Sequence, residues 1–238
     1  MPEVPAEIRG ILEGLRSESV SLIHADQLTE AEAAIVPRWW LDVVRMDLSD
    51  GFARVINEWN AVLPNLLPQF TSWLRSSAVG LFLGRSDIDK TPLLAYACMT
   101  NTGRALCWIG YPPSSEPANA NLDLNGVPTL VHAFITQLHD GFRLLTHGNN
   151  AFLPARKWFA LGDVVGPESL EFVGDRPAPD VDQLVCFFFD FGSSSVCFEL
   201  TGSQTDSRAG WVAFDDQVEA VDDIWAVIDR WLLSLVGA

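Results

Sequence analysis

The stretch Phe187–Leu200, FFFDFGSSSVCFEL, decides how the chain is read. Phe187, Phe188, Phe189 and Phe191 run into a short polar turn within a strongly acidic protein. From Leu184 onward the segment is apolar on both alternating faces. Val185, Phe187 and Phe189 fall on one side, and Leu184, Cys186 and Phe188 on the other. A strand covered on both faces has this pattern. After Gly192-Ser193-Ser194-Ser195 the alternation is clean, with Val196, Phe198 and Leu200 inward and Cys197 and Glu199 outward. The stretch therefore predicts a hairpin at the centre of a sheet. An exposed aromatic patch of that size is uncommon on a monomer.

Outward from this hairpin the pattern alternates between sheet and helix. Residues 79–84, VGLFLG, form a short apolar run bounded by glycine. Residues 92–111 then read as a β-hairpin around Asn101-Thr102-Gly103. A three-residue loop places Gly103 in its left-handed last position and sets Cys98 opposite Leu106. A two-residue loop would set Cys98 opposite Cys107, close enough to cross-link. The first register is preferred because glycine then occupies the position that needs it.

The first third reads helical. Ile8, Ile11, Leu12 and Leu15 share one face, and Thr29 with Glu32 makes a capping box. Phe52, Val55, Ile56 and Trp59 form a stripe that Ser49 or Asp50 can cap, and Leu67, Phe70 and Leu74 follow helical spacing. Residues 111–126, YPPSSEPANANLDLNG, lack periodicity and read as a linker. Residues 127–142 then predict an amphipathic helix with Leu130, Phe134 and Leu138 inside. Its end at Leu138-His139-Asp140-Gly141 suggests His139 near the negative helix terminus and Gly141 as the cap. Residues 155–163 and 169–174 read as short strands or strand ends, and 175–182 as a loop. At the C-terminal side, Val218, Val221, Trp225, Ile228, Leu232 and Leu235 recur at spacings of three and four, the signature of one long helix. The expected fold is α+β: a mainly antiparallel sheet with a central hairpin, packed by helices that include a long C-terminal one. The organisation expected is residues 1–118, helical with a β-hairpin, and 119–238, an α+β domain, with one continuous sheet as the alternative.

Composition and motif tests narrow the function. The 238 residues carry a formal charge of −16, a field that repels nucleic acid and anionic membrane and attracts cationic partners; the same charge also serves solubility. No basic leader opens the sequence, and no apolar run reaches the ~20 residues of a membrane span. A cytoplasmic protein is expected. The four cysteines lack metal spacing and read as buried free thiols. Gly192-Ser193-Ser194-Ser195-Val196 has valine where a nucleophile elbow needs glycine. His132 and His139 stand seven residues apart, too far for adjacent-turn chelation, and neither His147 nor Asp140 completes a ligand set. No catalytic residue, metal or cofactor is expected.

The order of elements after residue 126 resembles the SUKH superfamily of Smi/Knr-type proteins. The features that carry the resemblance are the Pro128-led helix ending at Gly141, the segment Lys157–Asp163, the strand pair 184–200 and the closing segment 222–235 with Trp231-Leu232. His139-Asp140-Gly141-Phe142 stands where the family has an Asn-Gly-Gly-like turn. The resemblance implies a non-catalytic fold that binds protein. In bacteria it implies an immunity protein that neutralises a polymorphic toxin, often a basic nuclease, by occluding its active site. Charge gives the same expectation independently, since a nuclease must be basic where it holds phosphates. The residues expected to meet such a partner are Asp215, Asp216, Glu219, Asp222 and Asp223 at the start of the last helix, with Asp180 and Asp182 before the central strand. A monomer or weak dimer is expected. A regulatory scaffold of the same fold is the alternative. An enzyme would require His132, His139 or His147 to converge with carboxylates in a cleft between the helical part and the sheet.

Overall fold

Apolar strands need cover on both faces, and the chain supplies it from helices on one side and two separate units on the other. The computed structural model describes residues 6–14, 19–114, 119, 122, 126–145, 151–190, 194–200 and 208–237. In chain order the helices are α1 (Ala6–Gly14), α2 (Glu30–Ile35), α3 (Arg38–Val43), α4 (Leu48–Val62), α5 (Pro68–Ser77), α6 (Thr129–Ala133) and α7 (Ile224–Val236). The strands are β1 (Val20–Leu22), β2 (Ala78–Ser86), β3 (Pro92–Met99), β4 (Ala105–Gly110), β5 (Phe142–Leu144), β6 (Ala151–Phe152), β7 (Phe159–Ala160), β8 (Glu171–Val173), β9 (Leu184–Phe189), β10 (Ser195–Glu199), β11 (Gly210–Phe214) and β12 (Gln217–Val221).

The strands form one sheet in the order β1-β2-β3-β4-β5-β6-β9-β10-β11-β12-β8, with β7 also on β9. Strand β8 joins β12 in parallel and the other pairs are antiparallel. The fold is α+β, with a mainly antiparallel sheet, as the alternation predicts. Strands β4 and β5 flank residues 111–126 in sequence and pair directly, so the sheet runs unbroken past that segment.

The hairpin β3–β4 adopts the preferred register. Cys98 pairs with Leu106, and Gly103 takes φ +79°. Along β3, Leu94, Tyr96 and Cys98 face the helical layer, while Leu93, Ala95 and Ala97 face α1. All four cysteines are buried and unbridged.

The hairpin β9–β10 departs from strict alternation. Val196 pairs with Phe188 but Cys197 pairs with Cys186, so Phe187 is an inserted, unpaired residue. Such a bulge flips the side-chain parity of the residues beyond it. Phe187 and Phe188 accordingly both enter the helical-side core. Phe189, expected beside Val185 and Phe187, turns to the opposite face with its partner Ser195. Cys197, expected outward, is buried on that second face, where Leu161, Trp211 and Val218 cover it. The two thiols of Cys186 and Cys197 meet there, 2.9 Å apart at sulfur.

Several helices begin or end elsewhere than periodicity alone suggests. Asp47, not Ser49 or Asp50, precedes the first turn of α4. Asp50 lies inside that turn, where the positive end of the dipole favours it. Within α1, Ile8 and Leu12 are buried; Leu15 lies outside the described residues. The capping box at Thr29 and Glu32 is formed, and Arg85 clamps the same Glu32 carboxylate at 2.6 and 2.8 Å. Past α6 the helix widens into a π turn, Phe134–Leu138, which ends the helix at Leu138. Its buried side is Val131, Phe134, Ile135 and Leu138, with Leu130 only half-buried. Residues 155–174 supply β7 and β8 between short 3-10 turns, as the short-strand reading expects.

The C-terminal helix is shorter than its apparent heptad. It starts at Ile224, and Val218 and Val221 belong to β12. Two local signals override the helical spacing. Asp223 accepts from the backbone N–H groups of Trp225 and Ala226, as an N-cap does. Asp215 takes φ +52° in a two-residue turn that pairs Phe214 with Gln217. Trp225, Ile228, Leu232 and Leu235 are buried as expected.

A buried carboxylate joins α7 to the first half of the chain. Asp229, 2% exposed, accepts from the backbone N–H groups of Gln69 at 3.1 Å and Phe70 at 2.8 Å. These are orphan donors of the first turn of α5, whose own N-cap Leu67 has no oxygen to offer them. Replacing Asp229 with alanine leaves one buried and one part-buried donor unpaired and is expected to cost about 2 kcal/mol. Asp229→Asn keeps one acceptor and is expected to cost about half of that. Urea denaturation midpoints of the three proteins check the order.

Candidate functional site

His139 follows the π turn and sits wholly inside the helical-side core, ringed by Trp39, Trp40, Trp59, Tyr96, Phe134 and Phe142. Its Nδ1 lies 3.3 Å from the carbonyl of Tyr111, which can only accept, so Nδ1 carries the proton. Nε2 then accepts from the Tyr96 hydroxyl at 2.6 Å. Burial lowers the imidazole pKa to about 3 and raises that of the Tyr96 phenol far above its usual range, so both stay neutral. Gly110 makes room: a Cβ there would come within 2.2 Å of His139 Nδ1. The expectation that His139 serves the helix terminus as a cation is corrected. It is a neutral core residue at C-cap, and Gly141 instead offers its carbonyl to Tyr111 N–H. With both nitrogens engaged and no path to water, His139 has no role as a general base.

His132 is exposed on α6, away from His139, and His147 lies outside the described residues. A cavity of about 720 Å³ does lie between the helical part and the sheet, bounded by β2 and the α3–α4 corner. Among the described residues that line it are His24, Asp26, Arg45 and Asp47. Among the described residues no group of His, Cys, Asp or Glu is gathered as a metal site, and no helix is long and apolar enough to cross a membrane.

The seven predicted carboxylates are split between the two ends of the sheet. The registers of β9 to β12 put residues 184, 199, 210 and 221 at one end. Asp180, Asp182, Asp222 and Asp223 belong to that end. Asp180 caps a 3-10 turn through the N–H of Asp182; Asp222 pairs with Arg176, and Asp223 with Arg208 at 3.2 Å. The two last are therefore already matched by cations. Asp215 and Asp216 form the turn at the other end, roughly 17 Å away along β12. The single acidic helix terminus of the sequence reading is thus corrected: only Asp223 caps α7.

The Asp215–Asp216 end has a feature that charge alone did not disclose. The pairings Phe214–Gln217, Gln217–Glu171 and Glu219–Val173 place these five side chains on one sheet face. Phe214 is 58% exposed and Val173 is 41% exposed. Glu171, Asp216 and Glu219 have no ion-pair partner among the described residues. Phe214 directly before two aspartates was the available signal: an aromatic leading into a polar turn is not obliged to be core.

No family model, curated protein or solved structure matches this chain. The reading of function rests on the residues themselves.

The His139 node makes acid stability testable. Its pKa is about 3 folded, against about 6.5 for a free imidazole, so the unfolded chain binds the extra proton between those values. Stability from this group is complete above pH ~6.5 and falls as pH drops, by about 2 kcal/mol between pH 7 and 5. His139→Gln is expected to be less stable at pH 7 yet to lose that much less on acidification. Urea midpoints of both proteins at the two pH values isolate the imidazole.

Proposed function

We propose that the protein is a non-catalytic binding protein that captures a basic protein partner with the β11–β12–β8 end of its sheet. The observation that carries this is an exposed aromatic, Phe214, on the same sheet face as exposed Val173 and the carboxylates of Glu171 and Glu219, next to the Asp215–Asp216 turn. Interface hot spots combine these parts: an aromatic anchor that desolvates on docking and charges that steer approach and fix register. The net charge of −16 extends the attraction beyond the contact itself.

The partner class we infer is a toxin whose active site is basic, with this chain as its immunity protein. The −16 charge and the likeness of residues 126–238 to the SUKH pattern support that reading. Occlusion would need only a rigid acidic surface, and the sheet supplies rigidity at that end through the parallel β8–β12 pairing and the Glu171 N–H bond to the Asp216 carbonyl at 2.7 Å.

The test is co-expression with the protein encoded immediately upstream, then affinity measurement at low and high salt. A salt-sensitive complex that relieves toxicity is expected. Phe214→Ala should weaken it by about 2 kcal/mol, roughly thirtyfold, chiefly through faster dissociation. The double change Glu171→Gln with Glu219→Gln should slow association and flatten the salt dependence. Affinity unchanged by either alteration would refute this surface.

A further inference from the structure

The second face of the sheet carries two separate apolar clusters, one under α1 and one under residues 159–172. Between them lies a cavity of about 310 Å³. Tyr111 borders it from the first cluster and Phe159 from the second.

Three cations line this cavity: Arg143 from β5, and Arg156 and Lys157 from the 3-10 turn Ala155–Lys157. They are three of only 15 basic residues in a chain with 31 acidic ones, gathered at one concave site. The carboxylates nearby are fewer and already engaged. Asp89 accepts from the Thr91 N–H at 3.1 Å and meets Arg156 at 3.3 Å. Asp140 accepts from the Ala155 N–H at 2.7 Å. Arg143 donates to the Tyr111 hydroxyl at 3.2 Å, which fixes its direction. Burial lowers the pKa of Arg143, and burial followed by repulsion from Arg156 and Arg143 lowers that of Lys157. The cations are thus held close together against their own field.

The opposite wall is aromatic. Phe159 and Phe189 pack with ring centroids 5.9 Å apart. Phe189 reaches this face because of the bulge at Phe187. Arg143 and Phe189 each pair in register with Ala151, one from either side, so they stand two strands apart, about 10 Å. A cation cluster that far from an aromatic wall matches a molecule with a charged head and a flat body.

We propose that this cavity binds a small organic oxyanion, a carboxylate or phosphate ester on a flat apolar body. The anionic head lies among Arg143, Arg156 and Lys157, where two guanidinium groups offer paired donors. The body lies against Phe159 and Phe189. This site is on the sheet face opposite the Phe214 patch, so either reading can fail without the other.

The test is calorimetric titration of the full chain with four probes: phenyl phosphate, phenylacetate, inorganic phosphate and benzyl alcohol. Saturable binding of at least one aromatic anion is expected below about 1 mM, with inorganic phosphate and benzyl alcohol at least tenfold weaker. Which aromatic anion binds more tightly identifies the head group. Lys157→Gln and Arg156→Gln, both at the rim, should each weaken binding about tenfold while leaving the thermal midpoint without ligand unchanged. Phe189→Leu should weaken the aromatic anions and leave inorganic phosphate as it was. Absence of saturation by either aromatic anion at about 10 mM would overturn the proposal, as would Lys157→Gln binding as tightly as the unaltered protein.

Discussion

One unpaired residue in β9 decides what the sheet presents on each of its faces. Phe187 has no partner on β10, and the side chains on either side of it change parity. Cys186 keeps to the second face, Phe187 and Phe188 both fill the helical-side core, and Phe189 crosses over. A strand that alternated strictly would place Phe187 and Phe189 under the helices and Phe188 on the second face. The bulge instead sets Phe188 beside Phe152 and Trp231 in the core, and it lends the other face the ring that walls the cationic cavity. Core and cavity are therefore two effects of the same insertion.

The two faces are covered by different means. On the helical side α3, α4, α5, the π turn and α7 enclose a core rich in tryptophan, with His139 neutral at its centre. The buried indole N–H groups of Trp40 and Trp108 have no hydrogen-bond acceptor there among the described residues. Each is a small cost set against large apolar area. The second face is covered in two patches with a gap, and polar side chains collect in that gap.

Much of the architecture was legible because local signals and tertiary needs coincide. Gly103 fixed the β3–β4 register, Thr29 and Glu32 announced α2, and the unbroken apolar run from Leu184 gave a doubly covered strand. The failures have particular physical causes. Phe187, Phe188 and Phe189 are alike, so no residue pattern marks which of them is inserted. Val218 and Val221 continue the helical spacing of α7 by coincidence, and the period-two alternation Gln217–Val221 competes with it over only five residues. His139 looks like a polar helix terminus in sequence, and only the arrival of Tyr96 and Tyr111 makes it core. The acidic residues were found but not their separation, because Arg176 and Arg208 come from loops that sequence spacing does not place. The cationic cavity was invisible for the same reason: its walls come from separate segments scattered between residues 88 and 189, and no single stretch carries more than two of its charges.

The Asp229 contact has a consequence in time. The first turn of α5 is made of residues synthesised 159 and 160 positions before the carboxylate that caps it. While the chain is growing, those N–H groups can bond only to water, and the apolar faces of α4 and α5 await α7 with them. A sheet built from distant pairings already folds slowly. Here the helical layer also stays open until α7 has been made, and its tryptophan-rich surface is exposed in the interval.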